Sequence, residues 1–289
     1  MLLFSISEME LTEEQYTDII STLEETASNC GLETYPFKIG WYNEALLDKK
    51  FELNDDYDTL AFVVISKPAM FEKAFLPFLC QEATTGTDSE IKDPLDRCMK
   101  ETFNHLSQLF SNEGYTINAM HDFEISPVTK RPKVLVQTAG HVSGAVRFYQ
   151  KHDLNEETET ETEYSESELN FINNVKSSKI FPVCLHPKYG GWFALRGVLI
   201  FRNVKVPENL VLKRTDPPKI LRTKFDIANL LYLFNEHWRD SRYRDVGMST
   251  DLERYSDLQR KYFGTEPSER SSLIQQIINH QQNRIVLQQ

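Results

Sequence analysis

Only four of the 289 residues are cysteine (Cys30, Cys80, Cys98 and Cys184), and they stand far apart with no C-x-x-C pair. That scarcity fits reduced thiols rather than a disulfide framework, and it offers no zinc signature. No apolar run approaches the roughly 20 residues that a membrane-spanning helix needs. The opening residues Met1 to Glu10 lack the basic start and apolar core of a signal peptide. A cytoplasmic protein with no membrane partner is therefore expected. Basic residues are in deficit, 32 against 43 acidic ones, for a formal net charge of -11. Nucleic-acid binding, which rests on Lys and Arg neutralising phosphates, is not expected of such a chain. Seven glutamates and no basic residue fall between Glu156 and Glu168, so the remainder is only mildly acidic. The sequence also lacks a phosphate-cradling glycine loop, an H-E-x-x-H helix and a G-x-S-x-G elbow. Its seven histidines show no metal-ligand spacing.

What is present reads as alternating strands and helices. Thr12-Glu-Glu-Gln15 is a capping box opening a helix with Tyr16, Ile19, Ile20 and Leu23 on one face. Gly31 can close that helix as a left-handed cap. Leu60 to Ile65 is continuously apolar and predicts a strand covered on both faces. Pro68 begins a short helix through Leu79, and Pro94 begins another that Gly114 closes. Tyr115 to Ile125 predicts a strand and Val134 to Tyr149 a helix. Gly140 and Gly144 in that helix each weaken it by about 1 kcal/mol relative to Ala. They imply either tight helix–sheet packing or a wide, flat ligand against the backbone. The stretch 154–168 reads as an acidic, mobile insert. Asp216-Pro-Pro218 marks a boundary into helical sequence, where Thr250-Asp-Leu-Glu253 repeats the capping-box pattern and Pro267 starts a last helix.

The most informative run is Phe181 to Phe201. Two β-prone stretches flank a turn marked by Pro187, Gly190 and Gly191, which predicts a hairpin with His186, Trp192 and Arg196 near its tip. Alternation leaves open whether Arg196 shares the Phe193/Leu195 side or faces the other way. Further strings stand out: Thr34-Tyr-Pro-Phe-Lys-Ile-Gly-Trp-Tyr-Asn-Glu44, Lys67-Pro-Ala-Met-Phe71, Arg131-Pro-Lys-Val-Leu-Val-Gln-Thr-Ala139, His237-Trp-Arg-Asp-Ser-Arg-Tyr-Arg-Asp245 and Arg254-Tyr-Ser256. In unbroken order from about residue 31 to 270, they closely resemble the CblC family of cobalamin (vitamin B12) processing proteins.

The resemblance implies an α+β fold like flavin reductases and nitroreductases, a mostly antiparallel sheet flanked by helices. Residues 1–215 would form the cobalamin-binding core and 216–289 a C-terminal helical cap. It implies glutathione binding by Arg196, Arg244 and Arg270. That choice suits the chemistry, because a guanidinium fork grips carboxylate bidentately and glutathione carries two carboxylates. Corrin contacts are implied at Asp122, Val134, Leu135, Val136, Gln137, His141, Phe148, Tyr149, Gln150, Cys184 and Leu195. Many cobalamin enzymes ligate cobalt through Asp-x-His-x-x-Gly. Here Ala139 replaces the aspartate before His141 and Gly144, so the imidazole lacks its orienting carboxylate, and a pocket-lining or helix-packing role is expected of it rather than ligation of cobalt.

The resemblance further implies removal of the upper axial ligand from base-off cobalamin. Alkylcobalamins would be dealkylated by glutathione, and cyanocobalamin would be decyanated reductively with electrons from flavin (FAD or FMN) or glutathione. A thiol oxidase side activity would follow from an unprotected product. A non-enzymatic chaperone passing cobalamin to a downstream trafficking protein is the alternative, and the chain would be a monomer or a ligand-dependent homodimer.

Overall fold

The structure is a computed structural model that describes residues 9–84, 93–156, 163–207, 210 and 212–286. Its strands are β1 (Met9–Glu10), β2 (Leu32–Lys38), β3 (Thr59–Ser66), β4 (Ile117–His121), β5 (Arg147–Tyr149), β6 (Val183–Leu185) and β7 (Ala194–Lys205). Its helices are α1 (Glu13–Asn29), α2 (Ile39–Ala45), α3 (Leu76–Thr84), α4 (Pro94–Ser111), α5 (Val136–Val142), α6 (Glu166–Ser177), α7 (Lys224–Glu236), α8 (Asp257–Gly264) and α9 (Arg270–Val286). Among the described residues, no helix is long and apolar enough to cross a membrane.

The apolar run at Leu60–Ile65 becomes β3, buried at every position between antiparallel neighbours β2 and β7. Because side chains alternate along a strand, β3 supplies two cores at once. Leu60, Phe62 and Val64 face a layer built from α1, α3, α4, α8 and α9. Ala61, Val63 and Ile65 face a second layer containing α2 and α5. Strand β7 is the hub of the sheet. One edge pairs with β3, and the other with antiparallel β4 and the short parallel β1.

The capping box at Thr12 forms as expected, with Thr12 accepting from Gln15 N at 3.2 Å and Gln15 Oε1 accepting from Thr12 N at 3.0 Å. Gly31 closes α1 with φ +71. The helix expected after Pro68 opens with a wide π turn over Phe71–Phe75 before α3. Pro94 begins α4, and the strand expected over 115–125 is realised as β4.

Three expectations are corrected. The run 181–201 turns tightly, with His186 and Gly190 exchanging both backbone hydrogen bonds at 2.8 Å, but its two strands do not pair. Strand β6 pairs with β5 in a separate two-stranded sheet, because both edges of β7 are already taken. Second, the helix expected over 134–149 lasts only from Val136 to Val142; Gly144 at φ +79 turns the chain, and residues 147–149 form β5. Of its two glycines, Gly140 marks close packing: a Cβ there would sit 2.9 Å from Leu195 Cδ2. Third, no helix starts at Thr250. Ser256 caps α8 instead, accepting from Gln259 N at 3.1 Å. Within the acidic stretch, residues 157–162 lie outside the described residues; Leu154 is buried on one side, and Ser165 caps α6 on the other.

Candidate functional site

Arg196 owes its position to a fault in the ladder between β3 and β7. Val64 opposes Gly197 and Ile65 opposes Leu195, so Arg196 is an extra residue in a β-bulge. Gly197 permits it: its φ is +149, and a Cβ there would lie 2.2 Å from Met120 O. The bulge reverses the parity of the strand's start. Leu195 joins the α5 layer, whereas Arg196 points with Ser66 toward the α4/α8/α9 layer. Alternation alone left that side open. Arg196 is 7% exposed and donates from Nε to Ser66 Oγ at 2.9 Å.

Arg244 is placed by the two strings singled out in the sequence. Gly191 N donates to Arg244 O at 2.9 Å, and Arg244 Nη1 donates back to Gly191 O. A Cβ on Gly191 would come within 2.8 Å of Arg244 Cα, so the Gly190-Gly191 pair is what lets the two backbones meet. The guanidinium then lies over three rings, Tyr243 at 5.0 Å, Tyr255 at 5.1 Å and Trp192 at 5.3 Å. Asp245 secures this cage by accepting from Trp192 Nε1 at 2.7 Å and Arg254 Nε at 3.0 Å.

Arg270 begins α9, donates from Nε to Thr265 O at 3.0 Å and covers the Tyr262 ring at 5.3 Å. Arg244 and Arg270 line one cavity of about 740 Å³, in the range typical of small-molecule sites. Its wall holds six arginines (239, 242, 244, 254, 260 and 270) but three carboxylates, Asp240, Asp245 and Glu266. In a chain of net charge -11, this is a local concentration of positive charge. Arg239, Arg242, Arg254 and Arg260 pair with Glu266, Asp240, Asp245 and Asp257 respectively. Among the described residues, neither Arg244 nor Arg270 has a carboxylate within 4 Å, and neither has Arg196. Arg196 does not line the cavity, so the structure brings two of the three arginines to one wall. Arg196 still acts electrostatically on Tyr262, as does Arg270.

The corrin contacts implied by the resemblance gather around α5, and none of them lines that cavity. Val134, Leu135 and Val136 pack in the second core layer at the start of α5, where Leu135 N donates to Tyr42 Oη at 3.0 Å, and Gln137 is exposed. His141 Nδ1 accepts from Phe148 N at 3.4 Å, which turns that nitrogen toward backbone. Burial, reinforced by Arg147, lowers its pKa and keeps the ring neutral. Phe148 faces Cys184 across the β5–β6 pair. Tyr149 Oη accepts from Ile220 N and Leu221 N, and Gln150 caps a short 3-10 turn. Burial raises the Cys184 thiol, so it stays protonated and behaves as a small apolar wall. Asp122 follows β4 and donates its N–H to Arg196 O at 3.1 Å. It keeps solvent access although protein surrounds its carboxyl, as a group in a recess does. Desolvation pushes it up to about 6 despite the opposing charge of Arg196.

One cluster escaped sequence reasoning. Glu33 accepts from Tyr189 Oη at 2.6 Å and Tyr35 Oη at 2.8 Å, and Tyr35 Oη meets His186 Nε2 at 2.9 Å. His186 is 3% exposed, and its Nδ1 accepts from Lys188 N and Tyr189 N. Burial depresses it to about 4. This network fastens the turn that carries Gly190, Gly191 and Trp192 onto β2. His186 was visible in the sequence, but nothing local tied it to Glu33 and Tyr35, 151 residues away in the case of Tyr35.

Residues 31–274 match the model of the methylmalonic aciduria and homocystinuria type C family. A Gallus gallus protein named cyanocobalamin reductase / alkylcobalamin dealkylase is 41% identical over 244 residues, covering 84% of this chain and 90% of that protein. The Homo sapiens protein of the same name is 37% identical over 262 residues, covering 91% of this chain and 83% of its own length. The crystal structure of a Caenorhabditis elegans B12-trafficking protein CblC superposes with a TM-score of 0.76 at 31% identity, covering 92% of this chain and 98% of that one.

Proposed function

The chain belongs to the methylmalonic aciduria and homocystinuria type C family, and from that premise we infer that it processes cobalamins by removing the upper axial ligand. It acts as a cyanocobalamin reductase and an alkylcobalamin dealkylase, as its relatives are named. We further propose that glutathione is the thiol for dealkylation and that Arg196, Arg244 and Arg270 hold its two carboxylates. The observation that carries this is that, among the described residues, none of the three guanidiniums has a carboxylate within 4 Å, while four neighbouring cavity arginines are paired. An arginine without an acidic partner in a partly closed site is a ready receptor for one. A charge-assisted bond there contributes roughly 1.5–3 kcal/mol.

In dealkylation, the glutathione sulfur attacks the cobalt-bound carbon. An S–C bond forms, the Co–C bond breaks, and its electron pair stays with cob(I)alamin. The nucleophile is the thiolate, and nearby guanidiniums raise its fraction by lowering the thiol pKa. In decyanation one electron, from reduced flavin or glutathione, reduces cob(III)alamin to cob(II)alamin, and cyanide departs. The residues around α5 supply an apolar wall for the corrin, and the protonated Cys184 does not compete as a nucleophile. Most of the acceleration comes from holding sulfur and carbon in line and away from water.

The test is to incubate the purified chain with methylcobalamin and glutathione under anaerobic conditions and follow the visible spectrum. Conversion to cob(I)alamin with release of S-methylglutathione is expected. Tight binding of unchanged methylcobalamin would replace the dealkylase reading with that of a carrier. No binding at all would remove the cobalamin assignment.

A further inference from the structure

The carboxylates that line the arginine-rich cavity are not equivalent. Asp240 spends both oxygens on Arg242, Oδ1 accepting from its backbone N–H at 3.0 Å and Oδ2 from its Nε at 2.8 Å. Glu266 stands at the exposed rim, paired at 3.3 Å with an equally exposed Arg239. Asp245 differs from both. Its Oδ1 accepts from Trp192 Nε1 at 2.7 Å and from Arg254 Nε at 3.0 Å, which fixes the orientation of the carboxylate. Its backbone carbonyl is held as well, accepting from Met248 N at 3.1 Å. Among the described residues, no hydrogen bond reaches its Oδ2.

The preceding residue, Arg244, lines the same cavity. Both residues are fastened to Trp192, the guanidinium lying over its ring at 5.3 Å and the carboxylate accepting from its indole nitrogen. Among the described residues, the two do not pair with each other. Opposite charges on one cavity wall, held apart by contacts of their own, match a group that carries both charges on a single carbon. The γ-glutamyl end of glutathione is such a group, with an α-ammonium beside an α-carboxylate. Arginines alone would repel that ammonium, whereas one fixed acid with a spare oxygen receives it through a charge-assisted hydrogen bond.

We propose that Asp245 Oδ2 receives the α-ammonium of glutathione while Arg244 takes the adjacent carboxylate, so that Asp245 selects thiols with a free γ-glutamyl amino group. This rests on the assignment of the cavity to glutathione given above. It adds a specificity-determining residue that takes no part in bond making.

Isothermal titration of the cobalamin-free full chain, where no alkyl group is transferred, compares glutathione with glutaryl-cysteinylglycine. This analogue keeps the thiol and both carboxylates and lacks only the amino group. The parental chain should bind it about five- to tenfold more weakly than glutathione, the lower end of a charge-assisted bond because Asp245 is partly exposed. In Asp245→Asn, whose amide oxygen can still accept from Trp192 and Arg254, glutathione should weaken by a similar factor and the preference for it should vanish. Equal binding of the two ligands by the parental chain overturns the proposal while leaving the glutathione assignment standing. A variant that keeps the parental preference also overturns it, including one that weakens both ligands alike, the mark of a purely structural role. The parental comparison needs no variant, so it decides even if Asp245→Asn does not fold. Absence of glutathione binding by the parental chain removes the assignment of the cavity itself, and the Asp245 proposal with it.

Discussion

Replacing Arg244 by glutamine removes the charge and half of the guanidinium fork while keeping an extended stem against Gly191 and Trp192. Among the described residues, the parent guanidinium has three aromatic faces and one carbonyl as partners, and no carboxylate. Its loss therefore leaves no buried acid stranded, and the local cost is the cation–π term, about 0.5–2 kcal/mol. The functional cost is larger. A hydrogen bond to a charged group contributes roughly 1.5–3 kcal/mol, and about 1.4 kcal/mol is a factor of ten. Glutathione KM in methylcobalamin dealkylation should thus rise roughly ten- to hundredfold. Methylcobalamin affinity, measured by spectral titration without glutathione, should move less than threefold, because the residues assigned to the corrin surround α5 rather than this cavity. The assay is the initial rate of cob(I)alamin formation across a glutathione series, run well below the variant's unfolding transition. An unchanged KM would refute the reasoning. A cobalamin affinity that falls in step with KM would refute it equally, since the cavity would then be a strut for the corrin site.

Three further outcomes follow from geometry. His186 titrates at about 4 when folded against an ordinary 6.5, so between those values the unfolded chain binds the proton that the folded one excludes. Stability therefore falls as pH drops from about 6.5 toward 4, by up to roughly 3 kcal/mol from this group; urea midpoints across that range should show a shallower slope in His186→Asn. In Gly197→Ala, the new Cβ meets Met120 O in a backbone conformation that L residues avoid, so a loss of more than about 2 kcal/mol is expected by urea denaturation. Cys184→Ala should retain kcat for glutathione-dependent dealkylation within a few-fold, because the raised thiol never supplies a thiolate; loss of turnover at saturating methylcobalamin would contradict this.

Local signals were legible and nonlocal ones were not. The apolar run of β3, the Thr12 capping box and Pro94 at the head of α4 all act within a few residues, and each appears where expected. The hairpin was misread because Pro187, Gly190 and Gly191 do specify a turn, whereas the partner of β6 is decided by which edges remain free in the folded sheet. Periodicity carried the helix past Val142, where Gly144 and the pairing of Phe148 with Cys184 override it. Thr250 shows the converse: its box has the right letters, but the apolar face that would support a helix comes later, with Leu258 and Tyr262. For the site, the types and numbers of the arginines were readable. Their grouping was not, because the approach of Gly191 to Arg244 and the bulge at Arg196 arise from contacts between distant segments.

The additional residue in β7 acts as a sorting device. Upstream of Arg196 the strand sends a leucine to the side where the corrin is assigned; at Arg196 it sends a cation to the opposite side, within two adjacent positions of one backbone. A regular ladder would also send these two neighbours to opposite faces, but to the other face in each case. Loss or gain of a single residue here would exchange the two deliveries, putting the guanidinium into the apolar α5 layer and the leucine beside Ser66. The length of this strand, more than the identity of any one side chain on it, sets which layer each of the two side chains meets.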